Sequence, residues 1–298
     1  MPTAYGEKVV MRLLKKTGGV PTLPELGLRG SALKHLDENI ARPHGIILIC
    51  GPTGSGKTTS LYSILSKLNS TKVNIMTLED PIEYQIPGVN QVQVNTQAGL
   101  NFASGLRSFL RQDPNIIMVG EVRDSETTDL AIQAALTGHL VFSTLHTNDA
   151  AGALPRLLDM QAEPYLIAST VTCVAGQRVV RRVCAACKIA KAPSEEIFIE
   201  IKKTLGDLYK FEKSNPPTFF VGKGCRECNN TGYLDRIGIF EVLVVSEKIA
   251  RMILTREPVQ AIANQAISEG MITMKQDGFL KVIEGITTVE EVLRVAEE

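Results

Sequence analysis

Gly45-Ile46-Ile47-Leu48-Ile49-Cys50-Gly51-Pro52-Thr53-Gly54-Ser55-Gly56-Lys57-Thr58-Thr59 decides how the rest of this 298-residue chain is read. An unbroken apolar run of this length, bounded by glycine, has the character of a strand buried on both faces. It passes directly into G-x-x-x-x-G-K-[ST], spanning Gly51, Pro52, Thr53, Gly54, Ser55, Gly56, Lys57 and Thr58. In such a loop the glycines let successive backbone N–H groups turn toward phosphate oxygens. The helix that opens at Lys57 adds the partial positive charge of its N-terminus. Lys57 is placed to reach the β- and γ-phosphates, and the Thr58 hydroxyl suits Mg²⁺. With Thr59 these residues form the expected ATP- and Mg²⁺-binding segment. The bland alternative is a glycine-rich turn, and the strand before and helix after it count against that.

Outward from this segment, short β-rich runs alternate with helical patterns. Strands are expected near Ile46–Cys50, Val73–Leu78, Ile116–Val119 and Leu140–Thr144. Helices are expected near Lys57–Asn69, Ala103–Leu110 and Glu126–Leu136. The alternation predicts an α/β fold with a parallel sheet covered on both faces. Ser31 is the expected N-cap of an earlier helix reaching about Ala41, stopped by Pro43 and Gly45. Tyr5–Leu14 alternates like a half-buried strand with nothing before it to pair with, so the natural protein is expected to extend further N-terminally. After about Arg236 the pattern reads as helical to the end, with Thr288 and Glu291 forming a capping box for the last helix.

Binding alone is not hydrolysis, which also needs carboxylates near the metal and the attacking water. Two apolar strands end in acids, where ligands gather in open parallel sheets. The first is Val73-Asn74-Ile75-Met76-Thr77-Leu78-Glu79-Asp80-Pro81-Ile82-Glu83. The second is Ile116-Ile117-Met118-Val119-Gly120-Glu121-Val122-Arg123-Asp124, a Walker B-like strand with Gly120 in the slot usually held by aspartate and Glu121 after it. Glu79 and Glu121 are read as functional, Glu83 and Asp124 as solvated strand-end acids. Arg107 and Arg111, spaced i and i+4, are expected on one helix face. They are either surface charge or cations that offset charge developing on a phosphate. His139 and His146 lie in Ala134-Ala135-Leu136-Thr137-Gly138-His139-Leu140-Val141-Phe142-Ser143-Thr144-Leu145-His146-Thr147-Asn148-Asp149-Ala150. Taken singly, one follows a glycine helix terminus and the other closes a loop.

Composition narrows the class. Lysine plus arginine and aspartate plus glutamate are 32 each, so the net charge is zero. That opposes bulk binding to nucleic acid. No apolar run reaches the roughly 18 residues of a membrane helix, and no signal peptide is evident, so the expected address is the cytoplasm. Cysteines there are reduced, and Cys184-Ala185-Ala186-Cys187 with Cys225-Arg226-Glu227-Cys228 reads as a closed Zn²⁺ site of four thiolates. Redox pairs or unrelated thiols are the alternatives. The 37 residues between the pairs are tolerable because closure cost grows only logarithmically. Cys50 and Cys173 read as core residues.

The P-loop, Leu78–Glu83, Gly120–Asp124 and the two-histidine segment, in this order, resemble the Walker A, Asp box, Walker B and His box of the secretion ATPase superfamily. These are the hexameric motors of type II secretion and type IV pilus assembly, and the resemblance covers nearly the whole chain. It implies a RecA-like P-loop NTPase core (21–178), a tetracysteine zinc subdomain (179–236) and a C-terminal helical subdomain (237–298). Residues 1–20 would be the end of an N-terminal domain and its linker. It implies Glu79 as water-activating base, Glu121 near the metal, His139 and His146 responding to the γ-phosphate, and Arg107, Arg111 and Arg12 near nucleotide. It further implies a homo-hexamer peripheral to the inner membrane, working with a platform protein and a membrane-associated docking protein. A four-cysteine insert is typical of the assembly and secretion branch, whereas the retraction branch usually lacks it. No residue decides between pilus assembly, which is preferred, and type II secretion. A nucleotide-gated scaffold with little turnover and a zinc-containing nucleic-acid translocase are the competing readings.

Overall fold

The computed structural model describes residues 2–9, 19–210 and 217–296. A small hairpin, β1 (Pro2–Thr3) and β2 (Gly6–Glu7), opens it. The expected strand over Tyr5–Leu14 is described only to residue 9, and Arg12 lies outside the described residues. Then follow α1 (Gly30–Ile40), β3 (Gly45–Cys50), α2 (Lys57–Leu68), β4 (Ile75–Glu79), β5 (Asn90–Gln93), α3 (Phe102–Phe109) and β6 (Ile116–Val119). Next come α4 (Ser125–Leu136), β7 (Leu140–Leu145), α5 (Ala153–Asp159), α6 (Pro164–Thr170) and β8 (Val171–Val183). The chain continues through β9 (Lys188–Lys191), α7 (Glu195–Leu205), β10 (Phe219–Gly222) and β11 (Tyr233–Val244). It closes with α8 (Glu247–Leu254), α9 (Val259–Ser268), α10 (Met274–Ile283) and α11 (Val289–Ala296).

Seven strands form one sheet in the order β11-β8-β3-β7-β6-β4-β5. Every neighbouring pair is parallel except β11 with β8. The alternation of side chains along β3 explains why its run is wholly apolar. Ile46, Leu48 and Cys50 enter the core beneath α3, α4 and α6, whereas Ile47 and Ile49 enter the one beneath α1 and α2. The four expected strands and three expected helices are all present, within two residues at each end.

Residues after Arg236 are not helical throughout: β11 runs to Val244 and pairs with β8 along its length. Its Ile239, Val242 and Leu243 are buried because both faces of this edge are covered, which hides the period-2 signal. The expected boundaries at 178/179 and 236/237 therefore fall inside two long paired strands that run from the sheet to the cysteine insert. The insert and the C-terminal helices also share a core, since Ile201, Leu205 and Phe219 pack with Phe279, Val282 and Val292. α1 starts at Gly30 with Arg29 in the cap position and no side-chain cap, so Ser31 is not its N-cap. Arg29 instead engages Glu284, tying α1 to the end of α10. Arg111 lies past the end of α3, whose last residue is Phe109, so it does not share a helix face with Arg107.

Candidate nucleotide-binding site

The P-loop leaves the C-terminal end of β3, between β7 and β8, and Gly51 N–H donates to the Leu145 carbonyl at 3.3 Å. Gly51 has φ +149, and a Cβ there would sit 2.4 Å from the Gln177 carbonyl, so only glycine fits against β8. α2 begins at Lys57 behind Gly56, whose φ of +86 turns the loop into the helix. Lys57 Nζ donates to the carbonyls of Gly51 (2.8 Å) and Pro52 (3.1 Å). Among the described residues it has no ion-pair partner. Burial, then the nearby guanidinium of Arg178, lowers its pKa, while Cys50 and Glu121 oppose that. Among the described residues Ser55 Oγ is buried without a hydrogen-bond partner. A half-buried ammonium resting only on carbonyls, beside a buried hydroxyl with spare capacity, fits a polyphosphate. Pro52, Thr53 and Gly54 are exposed, and Thr58 and Thr59 are partly accessible on the first turn of α2.

The two carboxylates differ sharply. Glu121 follows β6 with its side chain 14% exposed; Arg123 Nε lies 2.6 Å and His146 Nε2 3.5 Å from its Oε2. Glu79, the last residue of β4, is only 2% exposed. Tyr62 Oη donates to its Oε2, and Thr77 Oγ1 (2.5 Å) and Gln91 Nε2 (3.1 Å) donate to its Oε1. Burial, and then Glu79 itself, raises the Tyr62 phenol pKa, which keeps Tyr62 a donor. Glu121 is thus the more accessible of the two carboxylates, and Glu79 is enclosed by hydrogen-bond donors.

The histidines separate as well. His146 follows β7 on the P-loop edge of the sheet. His139 precedes β7 on the opposite edge, where its carbonyl accepts from Gly45 N and its Nδ1 contacts the Ala134 carbonyl at 2.8 Å. β7 pairs with β3 in parallel from Gly45↔Leu140 to Cys50↔Leu145. Six residues of strand put roughly 17–20 Å between the two edges. His139 therefore sits on the edge of the sheet away from the P-loop, where it closes α4. Arg107 is half exposed and paired with Glu126 of α4, and Arg111 is exposed.

Sequence reading missed Gln177 and Arg178. Ser60 Oγ donates to Gln177 Oε1 at 2.8 Å, fixing α2 to β8 beside the loop. Arg178 is 6% exposed; its Nη2 donates to Asn148 at 3.4 Å, and its Nη1 is buried without a partner among the described residues. The signal was a pair of polar residues inside the apolar run Val171–Val180.

The four cysteines come together. Their Sγ atoms all lie within 4.8 Å of one another. Sulfurs about 2.3 Å from a central ion in a tetrahedron are about 3.8 Å apart. Cys184–Cys225 and Cys187–Cys228 are each 3.8 Å and Cys225–Cys228 3.7 Å. Although burial raises the Cys228 thiol, the backbone N–H groups of Cys225 and Gly232 bring it down to about 6. The set fits one tetrahedral metal ion of thiolate preference.

The chain is similar to known proteins. The chain is 48% identical over 293 residues to the type IV pilus assembly ATPase PilB of Thermus thermophilus, covering 98% of this chain and 32% of that one. It is 47% identical over 298 residues to type II secretion system protein E of Pseudomonas aeruginosa, covering all of this chain and 58% of that one. The crystal structure of the pilus retraction motor PilT with bound ADP superposes with a TM-score of 0.69 at 28% identity, over 96% of this chain and 69% of that one. This chain thus spans about a third to three-fifths of the curated relatives' length. The model of the Type II/IV secretion system protein family matches residues 1–294, and the chain belongs to that family.

Proposed function

We propose that this chain binds MgATP at Gly51–Thr59 and hydrolyses it as the motor region of a ring-shaped ATPase. The observation that carries this reading is Lys57, a half-buried cation that among the described residues is held only by P-loop carbonyls, at the carboxyl edge of a parallel sheet. Phosphate oxygens replace those carbonyls as its partners. Thr58 would hold Mg²⁺, which when bound neutralises charge on the β- and γ-oxygens. Glu121 orients a water and takes its proton as the water oxygen bonds to the γ-phosphorus and the bond to the ADP oxygen breaks. His146, beside Glu121, sets the carboxylate's position. Glu79 holds Tyr62 and Gln91 and shapes the wall of the site. Arg107 and Arg111, exposed, offer cations to a neighbouring subunit's nucleotide.

Cys184, Cys187, Cys225 and Cys228 hold a structural Zn²⁺. The chain divides into an ATPase core, a tetracysteine subdomain and a C-terminal helical subdomain, with β8 and β11 shared between them. No described helix is long and apolar enough to cross a membrane. The relatives' names support a role in pilus assembly or type II secretion, and the reading gives that role to a homo-hexamer docked peripherally on an inner-membrane platform from the cytoplasmic side. The test is phosphate release measured against protein concentration for wild type and Glu121→Gln. Specific activity rising with concentration, and a loss of about 100-fold or more in the variant with ATP still bound, is expected. A wild type that binds ATP but releases no phosphate at any concentration leaves only the scaffold.

A further inference from the structure

Glu241 is a buried carboxylate that no step above uses. It lies on β11 and is 6% exposed. Its two oxygens are divided between two distant segments: Oε1 accepts from Ala150 N–H at 2.7 Å and Oε2 from Met274 N–H at 3.2 Å. Met274 is the first residue of α10, so the second bond satisfies one of that helix's free N–H groups and places a negative charge at its positive end. Ala150 is fully buried and ends the segment that begins at His146. Space for the carboxylate exists because residue 176 is glycine. A Cβ there would lie 2.9 Å from both Glu241 Cγ and Oε1 and 3.2 Å from Ala150 N.

The other end of the segment faces the nucleotide site. His146 meets Glu121, and the Cys50 thiol, one residue before the P-loop, donates to the Asp149 carbonyl at 3.2 Å. Thr147 Oγ1 donates to the same carbonyl, and the Asp149 side chain accepts from Gly152 N–H, so residues 147–152 are internally braced. His146 and Asn148 are exposed while Ala150 is not. A braced segment with an open end at the site and a buried end on Glu241 transmits displacement better than a slack loop.

We propose that Glu241 is a positioning residue linking the His146–Ala150 segment to the N-terminus of α10, so that nucleotide state at the P-loop is passed to the C-terminal helices. This rests on the nucleotide site proposed above. Coupling of this kind requires an element whose state both ends bias, and the shared carboxylate supplies the physical connection. Glutamine cannot replace it, because its amide nitrogen would face one of two N–H donors.

The experiment is hydrogen exchange of the full chain, with and without a non-hydrolysable ATP analogue plus Mg²⁺, beside a binding titration of that analogue. In wild type, exchange in residues 274–283 slows by about threefold or more when the analogue binds. In Glu241→Gln that difference vanishes while the analogue's Kd stays within about twofold. Gly176→Ala, which presses on the same carboxylate from β8, gives the same loss and serves if Glu241→Gln does not fold. Gln276→Ala removes half of the α10 capping box without touching Glu241; it raises exchange in α10 but keeps the nucleotide response. A wild type that binds the analogue with no change in α10, a Glu241→Gln that keeps the response, or a Gln276→Ala that loses it as Glu241→Gln does, overturns the link. Failure of wild type to bind the analogue removes the nucleotide site itself and the link with it.

Discussion

Glu121 and His146 were legible because their segments pair an apolar strand with a polar residue at its carboxyl end, and the structure brings them within 3.5 Å. His139 carried the same lexical weight in the two-histidine segment but sits a strand length away, since a residue before a strand and one after it occupy opposite edges. His139→Ala therefore leaves ATP affinity and turnover within about twofold, while His146→Ala lowers turnover about tenfold or more at little cost in affinity; steady-state kinetics of the two variants check this. Equal losses in both would place His139 across a subunit boundary, at another copy's nucleotide. Gln177 and Arg178 were passed over because a strand's neighbours in space are invisible in sequence: only the β3–β8 pairing, Cys50↔Gly176, puts them beside the P-loop. Glu79 shows the converse, a residue in the right place whose carboxylate is committed to Tyr62, Thr77 and Gln91.

At the scale of elements, the strands and helices around the P-loop were readable from period and punctuation, whereas β11 was not, being apolar on both faces and followed by helices. The cap of α11 is a half-realised motif. Thr288 Oγ1 accepts from Glu291 N–H at 3.3 Å as a capping box requires. The Glu291 carboxylate, however, turns to Arg181 N–H (2.8 Å), Arg181 Nη2 (2.7 Å) and Arg294 (2.9–3.0 Å). It thus ties α11 to β8. Burial alone would raise this carboxyl, but Arg294 and Arg181 hold it at about 2, against an ordinary 4.5. Its contribution to stability is complete above the ordinary value and is lost as pH falls from there toward 2. Glu291→Gln should lower stability at pH 7 by about 2 kcal/mol, less than for a fully buried pair because both arginines are half exposed. Urea unfolding at pH 7 and pH 4 should show the gap to wild type narrowing at the lower pH; a gap that widens there contradicts the assignment.

For the whole molecule, one sheet serves both the nucleotide edge and the cysteine insert, because β8 and β11 run through from one to the other. The four thiols close on each other at the far ends of these strands, well along the chain from Gly51–Thr59. Removing the metal of the proposed four-thiolate site should raise hydrogen exchange about tenfold or more in residues 188–210 and 217–222, with ATP affinity within about twofold. Loss of ATP binding on clean metal removal would mean that β8 carries the damage to the loop through Gln177. Lys57 and its loop are proposed to hold the triphosphate. Equilibrium binding of MgATP to the wild-type chain and to Lys57→Ala tests this most directly. Saturable binding by wild type, weakened at least about tenfold in the variant, is the predicted result; no binding by wild type, or equal binding by both, would contradict it.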